Sequence, residues 1–130
     1  MRIAHSHSLD VSIAEARAIQ EKLRGKVREG PALDPAGVGL IAGTDISYLR
    51  EHRLALGAVV LMEYPDLEVI QVCTSAVEVG FPYVPGMLSF RELPALLPAL
   101  EALGRTPDVI FVDGQGLAHP RALGLASHLG

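Results

Sequence analysis

The chain has 130 residues, enough for one domain and too few for two comfortable ones. Apolar residues make up 49% and charged residues 20%, a balance that builds a sizeable core and excludes a disordered chain. The formal charge of −4, from 11 basic and 15 acidic residues, excludes a polycation that binds nucleic acid through bulk charge; it does not exclude a site built on carboxylates. One cysteine, Cys73, cannot close an internal disulfide, and the polar start MRIAHSHSLD has no signal-peptide core. No apolar run reaches the ~18 residues of a membrane helix. Together these features read as a cytoplasmic, soluble protein with no membrane partner, a single domain over residues 1–130.

Residues 10–29 are predicted to form a helix. Ser12 and Glu15 fit the S-x-x-E capping box, Ile13, Ala16, Ile19, Leu23 and Val27 recur on one face, and Gly30-Pro31 stops it. Residues 34–37 read as a turn. The period then changes to two, with Val38, Leu40, Ala42, Thr44 and Ile46 on one face and Gly39, Ile41, Gly43, Asp45 and Ser47 on the other. Residues 54–64 and 67–79 are further apolar runs, separated by the tight-turn pair Pro65-Asp66, so three strands should form an antiparallel meander. GFPYVPG, residues 80–86, is an irregular loop stiffened by Pro82 and Pro85. Residues 89–104 carry the apolar stripe Leu93, Leu96, Leu97, Leu100 and Leu103 of a helix whose regular part begins near Pro94 or kinks there. Residues 108–112 are apolar on both faces, as in a buried parallel strand. Gly114-Gln115-Gly116 is a turn, and Pro120 opens a final helix over 121–129. The order α-β-β-β-α-β-α predicts an α/β sandwich on a mixed sheet. Leu123, Leu125, Ala126 and Leu129 are expected to lack a partner surface, as in a domain cut short.

Three carboxylates stand out. Asp45 sits late in a predicted strand, where an acid is costly unless it caps a turn or meets a cation. Asp113 ends the run DVIFV before two glycines, at the carboxyl end of a strand, where ligands of α/β sheets collect; an Asp-Gly turn is the plainer reading. Glu92 either closes a capping box with Ser89 or presents a third carboxylate over the sheet. His119 and Arg121, in HPR, could contact a phosphate or support a metal ligand, or simply lie at a helix start. A single cysteine rules out the usual zinc sites, and no P-loop, dinucleotide fingerprint or nucleophile elbow is present. Among enzyme readings this leaves a carboxylate cluster suited to Mg²⁺ or Mn²⁺ and to phosphodiester hydrolysis.

AGTDISY at 42–48, FPYVPGMLSFRE at 81–92 and VDGQGLAHPRALGLASHLG at 112–130 resemble, in that order, the endonuclease V family of deoxyinosine-directed repair nucleases. The resemblance implies a ribonuclease-H-like α/β fold in which the first and fourth strands lie side by side and bring Asp45 and Asp113 together. It implies Asp45, Asp113 and Glu92 as metal ligands for Mg²⁺ (or Mn²⁺), with His119 completing the catalytic set. Tyr83 matches the wedge tyrosine that enters the duplex where the damaged base leaves it, on a loop with Pro82, Val84 and Pro85. The flipped base would be read by backbone near Gly86, Leu88, Gly114 and Gly116, with Arg121 on a phosphate. The implied reaction is metal-dependent hydrolysis at the second linkage 3′ to deoxyinosine in DNA. The alternatives are an inosine-specific endoribonuclease and a non-catalytic DNA-binding or assembly fragment. Members of the family continue with a further strand, carrying a lysine in a G-V-A-K-type stretch, and with more helices. The chain is therefore expected to be the N-terminal part of a catalytic domain.

Overall fold

The computed structural model describes all 130 residues. Ser12 starts α1 (Ile13–Arg24): its hydroxyl accepts from the Glu15 backbone N–H, and the Glu15 carboxylate accepts from the Ser12 N–H at 2.8 Å. The helix stops at Gly25, not at Gly30-Pro31. The reason is the surface available to it. α1 buries Ala16 against Phe81, Met87 and Phe90 and Gln20 against Gly86 and Arg121, whereas Ile13, at one end of the expected stripe, is 44% exposed.

The meander forms as expected, from β1 (Leu40–Leu49), β2 (Leu54–Glu63) and β3 (Val69–Glu78) in antiparallel register. A short fourth strand, β4 (Val109–Val112), adds to β1 in parallel, giving the order β3-β2-β1-β4. The Asp108 carboxylate fixes the entry of this pair by accepting from the N–H groups of Gly39 and Leu40, each at 2.9 Å. β4 is not buried on both faces: it is an edge strand, and Phe111 is 61% exposed.

α2 (Leu88–Glu101) crosses one face of the sheet. Its residues Ala99 and Leu100 meet Leu40, Ala42, Val59, Leu61 and Cys73 in the main core. A Cβ added to Gly57 would stand 2.3 Å from the Ala95 carbonyl oxygen, so a bare glycine is what lets α2 rest its backbone on β2. Gln71 closes the far end by donating to the Ala102 carbonyl and accepting from the Gly104 N–H. The helix begins ahead of Pro94 and runs through both prolines. The Ser89–Glu92 capping box does not form, because Ser89 lies inside the first turn rather than before it. There it is buried and donates to Nδ1 of His128 at 2.8 Å.

The final helix, α3 (Leu125–Leu129), is shorter than predicted, since residues 117–122 are turns. The leucines here do find a surface within this chain: Leu123, just before α3, is buried, and Leu125 packs on Leu93 and Leu96 of α2.

Candidate active site

The parallel ladder between β1 and β4 ends at the pair Thr44–Val112. Asp45 and Asp113 are the next residue on each strand. Neighbouring strands run about 4.8 Å apart, so Asp113, just past the end of β4, stands beside Asp45, which is still within β1 and paired with Ala58 of β2. The Thr44 hydroxyl donates to the Phe111 carbonyl at 3.2 Å and closes this end of the pair. Both acids are exposed. Strand alternation turns Asp45 to the sheet face opposite the one that Leu40 and Ala42 bury beneath α2.

Glu92 comes from the other side, on α2. The Tyr48 hydroxyl, near the end of β1, donates to its Oε1 at 3.2 Å, and the Arg91 guanidinium lies 5.0 Å from the Tyr48 ring centre. Burial pushes the Glu92 carboxyl above its ordinary range; the Tyr48 hydrogen bond opposes this, and the charges of Asp113 and Asp45 add to it. Burial, together with the Glu92 charge, raises the Tyr48 phenol to about 12.

Asp45, Glu92 and Asp113 line one cavity of about 530 Å³, with Tyr83, Val84, Pro85, Gly86, Leu88 and Gly114 on its wall. The carboxylates do not converge on a single point: no three His, Cys, Asp or Glu side chains close to metal-holding distance. The donor chemistry nevertheless suits a hard cation. All three donors are carboxylate oxygens, and their mutual repulsion at Glu92 is what a bound cation would relieve.

The 80–86 loop is pinned at both ends. At its start, Phe81 packs on Phe90 with ring centres 5.6 Å apart, and Arg91 donates to the Phe81 carbonyl at 2.9 Å. At its end, the Gly86 carbonyl accepts from Gln20 Nε2 at 2.9 Å, His119 Nε2 at 2.9 Å and Arg121 Nη2 at 2.6 Å. Gly86 has φ +76°, a conformation that favours glycine, and a Cβ there would also push on the end of the Arg121 side chain. Between the pins, Tyr83 is 74% exposed.

His119 and Arg121 therefore act on the loop from behind. The Arg121 backbone N–H donates to Nδ1 of His119, which leaves Nε2–H to donate to Gly86, so both ring nitrogens are engaged. His119 reaches the cavity wall, but Arg121 does not. Pro82 lines a neighbouring groove, and Gly116 lies in another beside α3. Gln20 was missed in the sequence. It is fully buried, and its Oε1 accepts from Arg121 Nε at 2.6 Å. The signal was a long polar residue one turn after Ala16 on the buried face of a helix.

The family model described as Endonuclease V matches residues 21–130. An endonuclease V of Dehalococcoides mccartyi is 44% identical over 130 residues, covering 100% of this chain and 57% of its own length. The crystal structure of an endonuclease V from Streptomyces avermitilis superposes with a TM-score of 0.88 at 45% identity, over 95% of this chain and 54% of that one. Endonuclease V of Ciona intestinalis, in complex with a 23mer DNA containing an inosine followed by a ribo-adenosine, superposes at 0.83 with 34% identity, over 91% and 52%. The chain spans little more than half the length of these relatives.

Proposed function

Because this chain belongs to the endonuclease V family, we propose that it carries the acidic site of a DNA repair endonuclease that hydrolyses the second phosphodiester 3′ to deoxyinosine and leaves the lesion in the nicked strand. The observation that carries this reading is the register of β1 and β4, which sets Asp45 beside Asp113 at the mouth of a cavity that Glu92 shares. The bound DNA of the Ciona relative supports the choice of an inosine-bearing nucleic acid.

In this reading Asp45, Glu92 and Asp113 are the residues that would hold Mg²⁺ or Mn²⁺. The cation, when bound, supplies Lewis acidity at the scissile phosphate and lowers the pKa of water. Glu92 is half-buried, its Oε1 is held by Tyr48, and its affinity for a proton is raised. The attacking water loses its proton to solvent as the new oxygen–phosphorus bond forms. The ester P–O bond then breaks, and the leaving oxygen takes a proton from solvent. Tyr83 stands on a proline-stiffened loop and stacks where the damaged base leaves the helix. His119 and Arg121 orient that loop through Gly86.

The test is strand cleavage of a duplex containing one deoxyinosine, in Mg²⁺, with the product mapped to the nucleotide. Matched arms carry deoxyguanosine in DNA and inosine in RNA. The reading predicts a nick at the second linkage 3′ to deoxyinosine, lost in Asp45→Asn and Asp113→Asn. Undiminished cutting by both variants would overturn the mechanism, and preference for the RNA arm would overturn the substrate.

A further inference from the structure

The acidic cavity has a neighbour of opposite charge. A groove of about 640 Å³ runs between the β1–β2 connection and the 80–83 segment, lined by Arg50, Arg53 and Arg91 with no acidic residue among its walls. Three of the chain's 11 basic residues thus face one groove in a protein of formal charge −4. The first cavity is the reverse, holding Asp45, Glu92 and Asp113 with no Lys or Arg on its walls. Tyr83 and Leu88 belong to both and form the ridge between them.

The acidic cavity by itself repels a phosphate backbone, so the affinity for a polyanion must come from elsewhere on the surface. The arginine groove is placed to supply it. Arg91 is fixed by its hydrogen bond to Phe81 and by the Tyr48 ring, while Arg50 and Arg53 are exposed. The backbone of their connection is set by the Arg53 N–H, which donates to the Arg50 carbonyl, and by the Val79 N–H, which donates to the Arg53 carbonyl.

We infer that the groove lined by Arg50, Arg53 and Arg91 is a second DNA-backbone site, which takes the phosphates of the duplex on the far side of Tyr83 from the acidic cavity. The inference rests on the reading of that cavity as a phosphodiester site. Arg50 and Arg53 contribute affinity without sequence or lesion preference, and Tyr83 marks the boundary between the arm that is held and the arm that is read.

The experiment measures affinity of the wild-type chain, Arg50→Gln, Arg53→Gln and the double variant for a deoxyinosine duplex and a matched deoxyguanosine duplex, by fluorescence anisotropy over a salt series. A melt of each protein accompanies it. Each single variant should weaken both duplexes by the same factor, several-fold, and lower the slope of log affinity against log salt by about 0.9, the value of one lost phosphate contact on B-DNA. The double variant should lose about twice that slope. Should Arg53→Gln fail to fold, Arg50→Gln alone decides. Unchanged slopes in folded variants, or a wild-type chain that binds neither duplex, would overturn the groove. A wild-type chain without lesion preference whose slope still falls in the variants would uphold the groove and count against the proposed specificity instead.

Discussion

The Tyr48 hydroxyl donates to Oε1 of Glu92 at 3.2 Å and so ties the end of β1 to the second turn of α2. This one contact holds a carboxylate in a place it would otherwise avoid. Glu92 is raised above its ordinary 4.5 by burial first and by Asp113 and Asp45 after that. A carboxyl whose folded pKa is raised favours the fold while it is protonated. That contribution is full below the unfolded value and is lost as pH rises through the raised folded one. Glu92→Gln should therefore raise the melting temperature at neutral pH in a chelator. The gain should shrink toward acid. Divalent-cation affinity should fall in the same variant. A melting temperature unchanged at every pH would count against repulsion at this position.

Gly57 controls how closely α2 approaches the sheet, and Glu92 rides on α2. With an added methyl 2.3 Å from the Ala95 carbonyl oxygen, Gly57→Ala must displace the helix. The expected loss of stability in urea unfolding is about 1–3 kcal/mol, the usual range for overpacking. Cation affinity should weaken as well, because Glu92 moves with α2. An effect confined to stability would mean that the site tolerates the shift.

Gln20 couples α1 to the loop by accepting from Arg121 and donating to Gly86. Gln20→Met retains size and helix propensity but removes both bonds. It should cost about 1–3 kcal/mol, the penalty of leaving buried partners unsatisfied. It should also release the 80–86 loop, so that chymotrypsin cuts after the exposed Tyr83 faster than in the wild-type chain. Equal cutting rates would show that Arg121 and His119 hold Gly86 unaided.

His128 gives a pH dependence of its own. His7 Nδ1 must donate to the Ser8 carbonyl, so its Nε2 accepts from His128 Nε2–H at 2.7 Å, and His128 Nδ1 accepts from the Ser89 hydroxyl. Burial, aided by His7, lowers His128 from 6.5 to about 4. The unfolded chain therefore takes up the proton first, and stability should fall as pH drops from 6.5 to about 4, then level off. His128→Gln should remove that slope in urea titrations; a slope of the same size in the variant would place its origin in other groups.

Much of the fold was legible because its signals are local. Alternation and the Pro65-Asp66 turn specify the meander, and an apolar run ending in Asp113 marks the strand that joins β1. What was not legible depends on which surface each element meets. Periodicity extends α1 to Val27, but the helix ends at Arg24 and only its Ala16 and Gln20 are buried. The run through Phe111 looks buried on both faces because a sequence does not say which strand ends at an edge. Ser89 and Glu92 have capping-box spacing, yet Tyr48 and His128 claim their side chains. At the site, the acids were visible as costly residues in apolar runs. The hydrogen bonds to the Gly86 carbonyl were not, since Gln20 lies 66 residues away from it along the chain.

The central claim is that Asp45 and Asp113, brought abreast by the parallel register of β1 and β4, share one divalent cation. Calorimetric titration of Mn²⁺ into the wild-type chain, Asp45→Asn and Asp113→Asn, with a melt of each, tests it most directly. The account predicts binding to the wild-type chain and its loss in either variant while the fold is retained. Mn²⁺ binding of equal affinity in all three proteins would contradict it.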